Sequence, residues 1–254
     1  MAELKFHGAV KPADLTTPVT TDDAPKGWVN RDTKVSFKAT DTESGVAATY
    51  FTVNGGVQQI GNAVTLTTDG THKLVYWSVD FAGNVEQSHT TTVKIDKTSP
   101  EMTVSGFEKG SLSDALDVVP AVSIKDSTSG VDDSKTQVTL DGKPYQLGDT
   151  IQLYVLPLGK HTFTVIGSDL AGNSASKIVT FNTVASIEGL KQLVTRFAEN
   201  NWIDNAGITN SLKQKLENNE LQSFIQEVQV QSGKHIRNES SAYLLRDANA
   251  LLNN

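Results

Sequence analysis

Six carboxylates stand where alternating stretches give way to loops. Asp41-Thr-Glu43-Ser-Gly45-Val46 is followed by Asp80-Phe-Ala-Gly83-Asn84. Further along, Asp126-Ser-Thr-Ser-Gly130-Val131 is followed by Asp169-Leu-Ala-Gly172-Asn173. Asp96 lies in the segment between the two sets. Calcium takes six to eight oxygens from carboxylates, carbonyls and water, and loops at strand ends can supply them. Asp41, Glu43, Asp80, Asp96, Asp126 and Asp169 are therefore the candidate ligands, with calcium the expected ion. The same loops make equal sense as plain turns, in which Asp accepts nearby N–H groups and Gly supplies φ > 0. The spacing of an EF-hand is absent.

A second possible chemistry is aromatic recognition of sugars. Trp28, Trp77 and Trp202 are the three tryptophans. Flat amphipathic rings suit pyranose faces for the reason that enriches them at interfaces. Trp77, Trp202 and Tyr76 form the candidate glycan set. Trp77 is out of phase with Leu74 and Tyr76, so one of the adjacent rings faces out of the sheet; Trp28 fits core or edge packing.

Independent catalysis is not expected. The histidines (His7, His72, His89, His161, His235) show no metal-ligating spacing, and His72 and His161 occupy matching strand starts. No Gly-x-Ser-x-Gly elbow or phosphate loop occurs. Asp22-Asp23 and Asp132-Asp133 lie in polar loops, where solvated pairs are the default.

The elements that must position these residues follow from the repeat. The motifs within each pair are 39 and 43 residues apart, and the two sets are offset by 85. That period is too long for a solenoid unit and right for a small all-β sandwich. Val35, Phe37 and Ala39 alternate into Asp41, and His72, Leu74, Tyr76 and Ser78 alternate into Asp80. Asn54-Gly-Gly56 and Asp69-Gly70 mark turns. In the second bead Val122 and Ile124 lead to Asp126, Ile151, Leu153 and Val155 read as a strand, and Phe163 and Val165 lead to Asp169.

Near residue 185 the texture changes. Leu190, Leu193, Val194 and Phe197 have helical spacing, as do Leu212 and Leu216, then Phe224, Ile225 and Val228, then Leu244, Leu245, Ala248 and Leu251. About four helices in roughly 70 residues make a thin core, so docking on the second sandwich is expected. The fold class is two all-β immunoglobulin-like sandwiches followed by a small all-α helical bundle. The expected domains are 1–13 (a linker or the end of a preceding domain), 14–97, 98–185 and 186–254.

Composition sets outer bounds. The chain has 254 residues, no cysteine and a formal charge of −7. A disulfide scaffold and thiol chemistry are excluded, while secretion is not. The two beads carry −3 and −4, which argues against a nucleic-acid partner and suits divalent cations. No apolar run is long enough for a membrane helix.

Residues 14–97 resemble the bacterial immunoglobulin-like repeats of the type named after the OmpL47 surface protein, through Gly27-Trp28, Ser44-Gly45-Val46, His72–Ser78 and Asp80–Asn84. The second bead, 98–185, is similar but lacks the Gly-Trp opening. Residues 186–254 resemble the FIMAH domain, through Ile187–Leu193, Gly207-Ile208, Ser211–Leu216, Phe224–Val228, Ser232–Ile236 and Ala242–Leu252. Such domains end large secreted enzymes of Gram-positive bacilli, often polysaccharide lyases, glycosidases or proteases. The resemblance implies a secreted, monomeric, non-catalytic accessory region beside a catalytic domain of the same chain. Its expected partner is a polysaccharide or cell-envelope polymer, with no membrane insertion. The alternative is a calcium-rigidified adhesin stalk, favoured if Asp96 converges with a loop of the neighbouring bead.

Overall fold

The structure, a computed structural model, describes residues 13–107 and 110–253; the expected segment 1–13 lies almost wholly outside them. The first sandwich contains β1 (Val19–Asp22), β2 (Trp28–Val29), β3 (Thr33–Thr40), β4 (Val46–Val53), β5 (Gln59–Ile60), β6 (Ala63–Leu66), β7 (Gly70–Asp80) and β8 (His89–Ile95). One sheet runs β1-β3-β6 and the other β2-β8-β7-β4-β5. Pairing is antiparallel, except that β2 runs parallel to β8. The period-two pattern decides which side chains go inside. Along β7, His72, Leu74, Tyr76, Ser78 and Asp80 are buried in strict alternation. Val35, Phe37, Phe51, Leu66, Leu74, Tyr76, Val93 and Ile95 make the core, drawn from both sheets.

The second sandwich uses β9 (Glu101–Ser105), β10 (Ser111–Ser113), β11 (Asp117–Val118), β12 (Ala121–Lys125), β13 (Gln137–Leu140), β14 (Lys143–Pro144), β15 (Ile151–Gln152), β16 (Gly159–Ser168) and β17 (Ser174–Val184). Its main sheet runs β10-β17-β16-β13-β14 and again begins with a parallel pair. The sequence repeat is thus also a topological repeat. The absent Gly-Trp opening is replaced by Gly110-Ser111, with Ser111 opposite Asn182 as Trp28 is opposite Lys94. One expected strand is corrected: β15 ends at Gln152, and Leu153–Val155 form a 3₁₀ turn. That turn buries both Leu153 and Tyr154, whereas a strand sends neighbours to opposite faces.

In both sandwiches a buried histidine pins a hairpin. His72 Nε2 meets Thr68 O at 2.8 Å, and its Nδ1 lies 3.4 Å from the Asn54 amide. His161 Nε2 meets Pro157 O at 2.9 Å, and its Nδ1 lies 2.7 Å from Asp141 Oδ2. Asn54 and Asp141 hold the left-handed turn position at φ 52° and 51°, a conformation their short polar side chains tolerate. Each also accepts the N–H of the residue after its histidine, from Lys73 and Thr162. Matching strand-start histidines are thus structural.

Four helices follow: α1 (Ile187–Glu199), α2 (Ala206–Glu217), α3 (Leu221–Gln231) and α4 (Asn238–Leu252). Ser186 caps α1 by accepting from Gly189 N, and Asn205 caps α2 through Gly207 N and Ile208 N. Asn201 and Asn219 take positive φ where α1 and α2 end. The buried stripes meet in one core, which includes Leu193, Phe197, Leu212, Leu216, Phe224, Val228 and Leu244. Tyr154 of the second sandwich, 3 % exposed, belongs to this core and packs edge-on against Phe197, Trp202 and Tyr243.

The chain divides into two compact units. One comprises the chain up to Pro100 with Lys125–Asp133 and Ser168–Ser174. The other holds the rest of the second sandwich together with all four helices.

Candidate functional site: two carboxylate triads

Strand ends bring the acidic residues together in threes. Asp41 follows β3 and Asp80 closes β7; with Asp14 they form one group. Asp126 follows β12 and Asp169 follows β16; with Asp96, the residue after β8, they form the other. In each group one carboxylate oxygen per residue lies within 4.8 Å of the others. Both triads belong to the first compact unit.

The two networks share a common set of bonds. Asp41 Oδ1 accepts from Glu43 N, Ser44 N and Gly45 N at 3.1, 2.9 and 2.7 Å. Asp126 Oδ1 accepts from Thr128 N, Ser129 N and Gly130 N at 3.1, 2.9 and 2.8 Å. Asp80 and Asp169 each take the backbone N–H and the side-chain amide of the Asn four residues on. Those amides also donate to the carbonyls of Asp14 and Asp96, at 3.1 and 2.9 Å. Asp14 Oδ2 accepts from Ser44 N, and Asp96 Oδ2 from Ser129 N. Gly45 and Gly130 permit these tight loops at φ 84° and 86°, where a Cβ is strained.

At Asp14, Asp80 and Asp96 the donors favour the charged carboxylate. Hydrogen bonds from Ser44 and Thr16 keep Asp14 far below the usual carboxylate range. Burial pushes Asp80 up, but the Asn84 side chain and backbone, Ser44 and Gly83 outweigh it and leave the group depressed. Burial likewise raises Asp96, and donors from Ser129 and Thr98 more than reverse that. Among the described residues no Lys, Arg or His forms an ion pair with any of the six. The donor set is all oxygen, as a hard cation requires. Oxygens within 4.8 Å of one another are no further apart than two ligands of one Ca²⁺ at about 2.4 Å each.

The sequence reading placed five of these six residues and missed Asp14. Its signal is present: Asp14-Leu-Thr-Thr-Pro18 matches Asp96-Lys-Thr-Ser-Pro100. Glu43, also a candidate ligand, lies outside both groups. It is exposed and gives its backbone N–H to Asp41, while Asp14 completes the triad.

Of the aromatic candidates, Tyr76 is corrected. It is 4 % exposed, stacks on Phe37 and donates its hydroxyl to Asp22 Oδ2 at 2.6 Å, so it offers no face to a ligand. Trp77 lies on the opposite, outer face of β7, beside Tyr50 of β4 with ring centroids 5.9 Å apart. Ile60 of β5, opposite Tyr50 and 72 % exposed, extends this row across three strands. Trp202 is half-buried, stacked on Phe197 with the Arg237 guanidinium over its ring. Much of its surface is therefore already covered.

No family model matches the chain, and no curated protein does. Among solved structures it is similar to the fibronectin(III)-like modules of CbhA from Clostridium thermocellum, at 15% identity and TM-score 0.35, over 65% of this chain and 94% of that one. The protocadherin GammaB4 extracellular domain matches at 19% identity and TM-score 0.39, over 70% and 34% of the two chains. Chitinase ChiA74 from Bacillus thuringiensis matches at 16% identity and TM-score 0.28, over 69% and 28%. The fold class, two immunoglobulin-like sandwiches and a helical bundle, rests on the strand order and register themselves.

Among the described residues no helix is long and apolar enough to cross a membrane.

Proposed function

We propose that this chain is a non-catalytic accessory region of a secreted bacterial multidomain protein, a spacer whose linker is stiffened by calcium. The observation that carries this reading is the second triad. Asp96, at the exit from the first sandwich, converges with Asp126 and Asp169 from two loops of the second repeat. A divalent cation there would be held by those three carboxylates, with Asp14, Asp41 and Asp80 forming the equivalent set. It would neutralise three like charges that face only neutral N–H donors. Cross-linking a linker to two loops removes freedom that a flexible tether keeps. The finer assignment, OmpL47-type repeats capped by a FIMAH-like bundle beside a polysaccharide-degrading catalytic domain, belongs to this proposal. The spacer would then act by position, raising the effective concentration of that domain near its substrate.

The test is thermal unfolding of the full chain in calcium and in EDTA, beside Asp126→Asn. Asparagine retains an acceptor for the three loop N–H groups and removes only the charge. Calcium is expected to raise the midpoint of the first unit in the wild type, to raise it less in D126N, which keeps the Asp14–Asp41–Asp80 set, and to do little once Asp41→Asn is added. An unchanged wild-type midpoint at millimolar calcium sinks the cation reading and leaves plain turns.

The Tyr50–Trp77–Ile60 row favours a second role, polysaccharide binding on the outer face of the first sandwich. Retardation on insoluble or gel-embedded glycans is expected for the wild type and reduced at least several-fold in Trp77→Ala. Equal mobility of both proteins on every glycan refutes it.

A further inference from the structure

Deep in the second unit, Arg246 of α4 ties together two fully buried carboxyls. Its Nη2 donates to Asp114 Oδ2 at 2.7 Å and its Nε to Asp247 Oδ1 at 2.6 Å. Its Nη1 donates to the Tyr154 and Leu156 carbonyls at 2.9 and 2.6 Å. Asp114 follows β10 in the sandwich, whereas Arg246 and Asp247 are on α4, so the cluster joins the bundle to the sandwich. One oxygen of each acid, Asp114 Oδ1 and Asp247 Oδ2, is buried with no donor in reach. Buried oxygens are rarely left so. The two carboxyls share one guanidinium, Asp114 on Nη2 and Asp247 on Nε.

One guanidinium cannot neutralise two carboxylates, and two charged acids in contact repel. A single proton between them resolves both problems. It makes one acid the donor, satisfies both orphan oxygens with one hydrogen bond, and brings the cluster to zero net charge. We propose that Asp114 and Asp247 share one proton, and that this proton completes a pH-sensitive latch holding α4 to the second sandwich. In agreement, burial, followed by the hydrogen bond and charge of Asp247, pushes Asp114 up to about 8 against the opposing pull of Arg246.

The surrounding charges do not supply this proton. On α1, Arg196 is engaged with Asp117 of β11 and the Ala115 carbonyl. Tyr154, in the 3₁₀ turn, and Tyr243, on α4, both titrate above their ordinary range, chiefly through burial. Glu239 of α4 is held by the Tyr243 hydroxyl. Glu188 of α1 pairs with Lys191.

The sign follows from linkage. The folded pair binds its proton more tightly than the unfolded chain, whose carboxyls titrate near about pH 4. Unfolding between about pH 4 and the pair's own titration therefore releases a proton, and stability falls as pH rises through that window. The experiment follows unfolding of the full chain from pH 5 to pH 9 for wild type, Asp114→Asn and Asp247→Asn. Either asparagine supplies a permanent N–H to the other acid, so both variants retain the latch without the proton. The wild-type midpoint of the second unit should drop across this range, and most of that drop should vanish in the variants. An infrared band of a protonated carboxyl should be present in the wild type at pH 7 and absent from D114N. If D114N fails to fold, D247N carries the same comparison. Histidine titration is common to all three proteins and cancels. A drop of the same size in all three, or no protonated-carboxyl band in the wild type, overturns the proposal.

Discussion

At the scale of single residues, two populations of aspartate pull the pH dependence in opposite directions. Asp14, Asp80 and Asp96 are depressed because converging N–H donors favour the charged form over the cost of burial. A depressed carboxyl contributes stability above its unfolded pKa, and that contribution is lost as pH falls through the folded one. The first unit should therefore lose stability on acidification below about pH 4. The Asp80→Asn variant should start less stable at neutral pH and lose less on the way down. A first-unit midpoint independent of acid in the wild type would contradict the donor network. Asp114 does the reverse, since desolvation and a neighbouring acid dominate there. Residue type alone separates none of these cases. The Asp-x-x-Ser-Gly loops were legible because Asp and Gly at fixed offsets have a local cause. The buried state of Asp114 depends on Arg246 of α4, 132 residues away.

At the scale of elements, the two sandwiches are the same device built twice, down to the parallel first strand pair and the histidine-pinned hairpin. The bundle shows the limit of that modularity. Its core is completed by Tyr154, from the 3₁₀ turn that replaced an expected strand. Residues 151–155 read as a strand because Ile151, Leu153 and Val155 alternate. Alternation was outweighed here by the burial available to Tyr154 among Phe197, Trp202 and Tyr243. Tyr154→Ala should cost about 3–5 kcal/mol, as large aromatic truncations in cores do. It should lower the second unit's unfolding midpoint and leave the first unit's unchanged. Calorimetry checks this, and a loss below about 1 kcal/mol would show that the bundle core does not need the sandwich.

At the scale of the whole molecule, the chain has two compact units rather than one per recognisable repeat. The helices share a unit with the second sandwich because a four-helix core of this size is thin, and Tyr154 and Arg246 extend it into the β layer. The loops bearing Asp126 and Asp169 belong with the first unit because Asp96 bonds Ser129 N and its carbonyl accepts from Asn173. Fold class, the repeat, the turn chemistry, the helical stripes and five of the six triad acids were readable from sequence. All are periodicities or short motifs with local causes. Asp14, the inward orientation of Tyr76, the Tyr50 partner of Trp77 and the Asp114–Arg246–Asp247 cluster were decided by tertiary structure. They depend on which strands become neighbours and which side chains lose their water, and neither is written in a local pattern.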